Sequence, residues 1–187
     1  MLQTFRADLH VHTCLSPCAE LTMTPRRIVA AALVQAVDIV AVCDHNSAEN
    51  VEAVRQAARG TPLAVVPGME VTSREEVHLL AWFAEPVQAL EFQDEVYAHL
   101  PGVNDAEAFG LQVLATAEGE VRGFSDRFLL GATTLGVEEL ADRIHELGGL
   151  VCASHIDRES FSLLGQLGGF PPDLSLDGIE VSRPSAS

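Results

Sequence analysis

The chain has 187 residues, enough for one domain with a sizeable core, and 48% of them are hydrophobic. Its formal net charge of −16 argues against a simple electrostatic nucleic-acid binder, which neutralises phosphates with basic patches. It does not exclude an enzyme acting on phosphates, because bound divalent ions reverse the local field. All the basic residues are arginine, which removes Schiff-base chemistry, a P-loop lysine and a carboxylated-lysine metal bridge.

The opening residues lack the apolar core of a signal peptide, and the longest apolar run near a terminus is far too short for a membrane span, so a cytoplasmic protein with no membrane partner is expected. Arg6-Ala7-Asp8-Leu9-His10-Val11-His12-Thr13 alternates apolar with polar residues, the period of a strand, which predicts Asp8, His10 and His12 on one face. Two imidazoles and a carboxylate together are expensive to bury without a partner, and a metal ion is the simplest one. A loop through Met23 carries Cys14 and Cys18. With Cys43 and Cys152 these are too few and too scattered for a disulfide framework, so reduced thiols are expected and at least one of the first two is a candidate ligand.

Thr24-Pro25 reads as an N-cap followed by a first-turn proline, opening a helix to about Val37. The run from Asp38 to Cys43 predicts a buried parallel strand ending in Asp44-His45-Asn46, with Ser47 capping a helix to about Arg59. Leu63–Pro67 predicts a third strand, ending at Gly68-Met69-Glu70, and Val77–Phe83 a fourth that contains His78. Residues 86–132 read as an insertion, a helix from Pro86 to Leu100 and then a hairpin turning at Glu118-Gly119, which covers the site or makes a lateral contact through which the chain oligomerises. An amphipathic helix from Val137 to Leu147 follows, then a strand Leu150–Ala153 ending in Ser154-His155-Ile156-Asp157. A helix near Ser160–Leu167 and a strand near Gly178–Val181 complete the pattern.

Such β-α units predict an α/β fold with parallel strands and the site at their C-terminal ends. His10, His12, His45, Glu70 and His155 fall at predicted strand ends or just beyond. A mixed histidine and carboxylate set suits zinc, iron or manganese, and one glutamate can bridge two ions. His99 and His145 lie on predicted helices and are assigned to no site.

Asp8-Leu9-His10-Val11-His12-Thr13, Asp44-His45-Asn46, Gly68-Met69-Glu70 with His78-Leu79-Leu80, and Ser154-His155 resemble, in order, the motifs of the polymerase and histidinol phosphatase (PHP) family of metal-dependent phosphoesterases. The resemblance covers nearly the whole chain. It implies a distorted (β/α)7 barrel over residues 1–187, with 86–132 inserted, and two or three divalent metal ions at its rim. His10 and His12 would bind one ion, Glu70 would bridge it to a second, and His78 and His155 would complete that second ion. His45 would serve a third, with Cys18 or Glu20 as its partner, and Asp8 and Asp44 would orient imidazoles from an outer shell.

A metal-bound hydroxide would then hydrolyse a small phosphorylated substrate or a short oligonucleotide, with Glu70 and His155 in the catalytic centre and Arg158 as a phosphate clamp. The family's late Asp-x-His motif, expected after Gly178-Ile179-Glu180-Val181, does not occur in the sequence. The expectation is therefore a C-terminally incomplete barrel whose first and third ions lack one ligand each, and the alternative is a metal-stabilised, non-catalytic module. An amidohydrolase-type barrel, which also opens on His-x-His, ranks last because a common bridging ligand of that class is lysine.

Overall fold

Burial decides which apolar runs become the centre of the sheet. In a computed structural model, which describes residues 2–182, β2 (Ile39–Val42) and β3 (Ala64–Thr72) are flanked by β1 (Ala7–Val11) and β4 (His78–Trp82), and β7 (Leu150–Ala153) and β8 (Gly178–Ile179) complete one six-stranded sheet in the order β1-β2-β3-β4-β7-β8. β1, β2 and β3 pair in parallel, whereas β4 is antiparallel to both β3 and β7. The uniformly parallel sheet read from the sequence is corrected here. Residues 73–77 between β3 and β4 are too few for a parallel crossover, and only a reversal fits.

The sheet curls into a half-barrel; among the described residues it does not close into a seven-stranded barrel. Trp82 Nε1, from β4, donates to the Leu9 carbonyl of β1 at 3.0 Å, spanning the inside of the curl. Leu80, Ala41, Cys43 and Cys152 pack on that inner face. On the outer face, α1 (Pro25–Val34), α2 (Val51–Ala57) and α5 (Val137–Glu146) bury Ile28, Val29, Val51, Val54, Leu140 and Ile144 against the strands in the main core. The second helix begins after Asn50 rather than at Ser47, because the Ser47 hydroxyl is engaged by Gln93 and Tyr97 instead of a helix terminus.

α3 (Pro86–Ala98) opens residues 86–132. Its Ala89, Phe92 and Val96 are fully buried in the main core, so the helix is an outer element of the sheet. What stands apart is the stretch after it: α4 (Ala106–Phe109) and the hairpin of β5 (Val113–Ala115) and β6 (Val121–Phe124). The hairpin packs Val113 and Ala115 on Cys14, and so buttresses the loop that follows β1. Gly119 takes a positive φ of 88° at its turn, a conformation that glycine adopts without steric cost. α6 (Leu163–Leu167) precedes the last strand. No helix among the described residues is long and apolar enough to cross a membrane, and all four cysteines are free.

Candidate metal centre

The parallel strands β1, β2 and β3 deliver their C-terminal ends to one rim. After β2 the chain stays extended long enough for His45 to pair with Glu70, with Glu70 N donating to Asp44 O and Asn46 N donating to Glu70 O. β3 runs on through Glu70 to Thr72, so this carboxylate lies within the strand rather than at its end. A Cβ at Gly68 would lie 2.9 Å from Ala81 O and 3.0 Å from Val42 O, so only glycine lets the three strands approach this closely beneath the site. His155 sits just past β7 with φ +28°, turning its ring into the same space.

The outcome is one buried carboxylate among five imidazoles. Glu70 Oε2 lies 3.3 Å from His10 Nε2, His12 Nε2 and His45 Nδ1. Glu70 Oε1 lies 3.1 Å from His78 Nδ1 and 3.2 Å from His155 Nε2, and accepts a hydrogen bond from Ser154 Oγ at 2.9 Å. The two oxygens therefore divide the histidines into two groups. Burial opposes the charge on Glu70, but hydrogen bonds from the surrounding imidazoles hold its pKa well below the usual carboxylate range.

The hydrogen-bond network assigns two of the tautomers. Ser16 Oγ donates its single proton to Asp44 at 2.7 Å, so at its 3.0 Å contact with His12 it accepts from Nδ1–H. His10 Nδ1 faces both oxygens of Glu180 at 3.1 and 3.2 Å, and so also carries its proton there. In their neutral forms both rings then present bare Nε2 atoms, which lie 3.2 Å apart beside a carboxylate oxygen. Three lone-pair donors meeting in this way need a positive charge between them. In the metal-free chain that charge is a proton. Burial lowers the His10 pKa, but Glu180 and Glu70 outweigh it and bring the value to about 9. His45 takes no such proton, since burial lowers its pKa to about 3.

These residues fit a metal. The buried His45 Nδ1 and His155 Nδ1 have no hydrogen-bond partner, and ligand atoms come within 4.8 Å of one another in three sets: His10, His12 and Glu70; His45, Glu70 and His78; and His12, Cys18 and His45. The donor chemistry, imidazole and carboxylate with one thiol, is that of transition-metal sites. The site lies in a cleft of about 390 Å³ whose rim adds Arg158, Ser160, Phe161 and Glu180. The Phe161 ring stacks on His78 at 4.8 Å between centroids.

The remaining expected residues fall outside this cluster. Glu20 is exposed and accepts from Thr22 Oγ1. Asp8 meets His10 only through the backbone N–H at 3.4 Å and orients no imidazole, because the register shift between Asp8 and Val11 breaks the strict alternation of β1. Asp44 is buried and touches no ring. It accepts from Thr13 N, Thr13 Oγ1 and Ser16 Oγ, all at 2.7 Å, and reaches His12 through Ser16. Those donors oppose the upward push of burial on its pKa. His99 and His145 lie away from the cleft, paired with Thr134 and Asp177. Ser16, Ser154 and Glu180 are additions the sequence reading did not make. Glu180 ends a strand, as Glu70 was read to do, and that was the available signal.

Fold and site together define the class: a curled mixed α/β sheet with a histidine–carboxylate cluster at its rim. By sequence, the chain matches no family model and no curated protein. By structure it is similar to a protein of Bifidobacterium adolescentis assigned as a metal-dependent phosphoesterase, with a TM-score of 0.64 at 20% identity over 95% of this chain and 77% of that one. It is similar to the lesion-specific endonuclease Q of Pyrococcus furiosus at a TM-score of 0.64 and 19% identity, covering 94% of this chain and 41% of that one. An endonuclease Q complex with a 27-mer duplex carrying an abasic lesion at the active site gives 0.60 at 18%. This chain thus spans under half the length of endonuclease Q.

Proposed function

We propose that this protein is a metal-dependent phosphoric ester hydrolase. The observation that carries the reading is Glu70, whose two oxygens each face a separate group of imidazole nitrogens. That arrangement suits a carboxylate bridging two ions, with His10 and His12 on one and His78 and His155 on the other, and His45 and Cys18 beside them for a third. Zinc, iron and manganese all tolerate the nitrogen and oxygen donors. Bound divalent ions would supply a water of lowered pKa and neutralise charge developing on phosphoryl oxygens.

The chain's own residues would do the rest. Ser16 and Glu180 keep the His12 and His10 protons on Nδ1, leaving Nε2 for the ions. Glu70 and His155 hold the reaction centre, and Arg158 on the rim can grip a phosphate through two parallel hydrogen bonds. Phe161 packs over His78 and restricts its ring.

For the substrate, endonuclease Q supports an oligonucleotide and the Bifidobacterium protein a phosphoester in general. The net charge of −16 and the cleft of about 390 Å³ favour a small phosphate ester over long nucleic acid. The test pairs elemental analysis with hydrolysis of a generic phosphate ester. His155→Ala should lower bound metal and abolish turnover; a variant unchanged in both would sink the reading. Wild-type protein that binds metal but turns over no phosphate ester would instead be a metal-stabilised, non-catalytic module.

A further inference from the structure

We propose that Cys18 is a thiolate ligand, so that the ion it holds with His45 is of the thiophilic class, zinc or cobalt, rather than manganese or magnesium. This rests on the metal-centre reading above and goes further, by assigning one ion a sulfur donor.

Cys18 is the cysteine that lines the cleft. Cys14 lies under the hairpin, and Cys43 and Cys152 pack inside the curl of the sheet. The Cys18 sulfur and a ring nitrogen from each of His12 and His45 lie within 4.8 Å of one another. The His12 and His45 rings are 4.7 Å apart between centroids. Independently of the thiol, His45 Nδ1 is buried, has no hydrogen-bond partner and lies 3.3 Å from Glu70 Oε2 within the same cluster. A nitrogen desolvated and left bare in this way costs free energy unless something takes its lone pair.

The loop is built to hold Cys18 in place. Ser16 N donates to Thr13 O and Ala19 N to Ser16 O, while Asp44 grips Thr13 and Ser16 from below. The sulfur is thus presented by a fixed turn and not by a free tether. Thiolate donors select zinc and cobalt, whereas carboxylate, carbonyl and water suit manganese and magnesium. The neighbouring donors around Glu70 are nitrogen and oxygen only, so the two kinds of ion would be sorted within one cleft.

The test loads the metal-free full-length chain with cobalt(II) alone and records its spectrum and metal content. A thiolate-to-cobalt absorption band in the near ultraviolet is expected for the wild type. Cys18→Ser should lose the band while keeping the circular dichroism of the fold. With equimolar zinc and manganese, the wild type should retain zinc at this ion, and Cys18→Ser should lose about tenfold or more of that preference. Cys18→Asp should bind the ion again without the band and shift the preference towards manganese. Bound cobalt with no band in the wild type, or a band that survives Cys18→Ser, overturns the assignment while leaving the metal centre standing. A chain that takes up no cobalt overturns both.

Discussion

Glu180, at the end of the last strand of the sheet, grips His10 on the first: both of its carboxylate oxygens lie within 3.2 Å of the ring's Nδ1. The contact joins the two open edges of a sheet whose strands do not otherwise pair there. It also fixes the proton of the imidazole that faces Glu70.

Glu180→Gln should therefore weaken metal binding without touching a ligand. An amide can present its own N–H to Nδ1 and so admit the wrong tautomer. Affinity for the ion at His10 and His12 should fall about 10- to 100-fold, read by calorimetric titration. Affinity unchanged within error would mean that the tautomer is set elsewhere.

The metal-free protein should show a stability maximum in pH. His10 has its folded pKa raised to about 9, so its contribution is fully present below the unfolded value near 6.5 and is lost as pH rises through 9. His45, held down at about 3, acts in the opposite sense and withdraws stability as pH falls below 6.5. Glu180, lowered to about 2 by its bond to His10, contributes above 4.5 and down towards that value. Tm of the metal-free chain should rise as pH is lowered from 9 towards 6.5 and fall below it; a flat profile from 6.5 to 9 would contradict the His10 assignment. Metal binding near neutral pH should release about one proton from His10, seen as a buffer-dependent heat.

Asp44 should matter more for folding than its distance from the rings suggests. It is buried and accepts three hydrogen bonds from Thr13 and Ser16. Asp44→Asn keeps the shape but replaces one acceptor with a donor, leaving a buried donor unpaired at a cost of about 1–3 kcal/mol. Urea unfolding measures this, and the same variant should bind metal less tightly because Ser16 no longer has a fixed acceptor.

The packing of α3 on the core is also open to test. Phe92 is fully buried beneath the helix, whereas Phe124 on the hairpin is half exposed. Phe92→Ala should cost about 3–5 kcal/mol in unfolding free energy, and Phe124→Ala about 0.5 kcal/mol or less. Equal losses would mean that α3 is as peripheral as the hairpin.

Much of the sheet was legible because its strands carry their own signal: apolar, β-branched runs that stop at a polar pair. Asp44-His45 and Ser154-His155 are local in sequence and stayed local in space. What escaped the reading depends on approach between distant segments. Glu180 meets His10 across 170 positions, and nothing near either residue announces the pairing. Ser16 is held in the site by Asp44, which lies 28 positions away. The direction of β4 was recoverable, since the five residues from Ser73 to Val77 allow only a reversal. The place of α3 was not, because a helix on a core and a helix in a lid share one amphipathic pattern until their neighbours are known.

The indole of Trp82 touching the Leu9 carbonyl has a use beyond structure. It is the sole tryptophan of the chain, and the backbone it touches belongs to the residue before His10. Its emission is therefore a built-in gauge of whether the first strand lies home against the sheet. Assembly of the rim can be followed by light from the unlabelled protein.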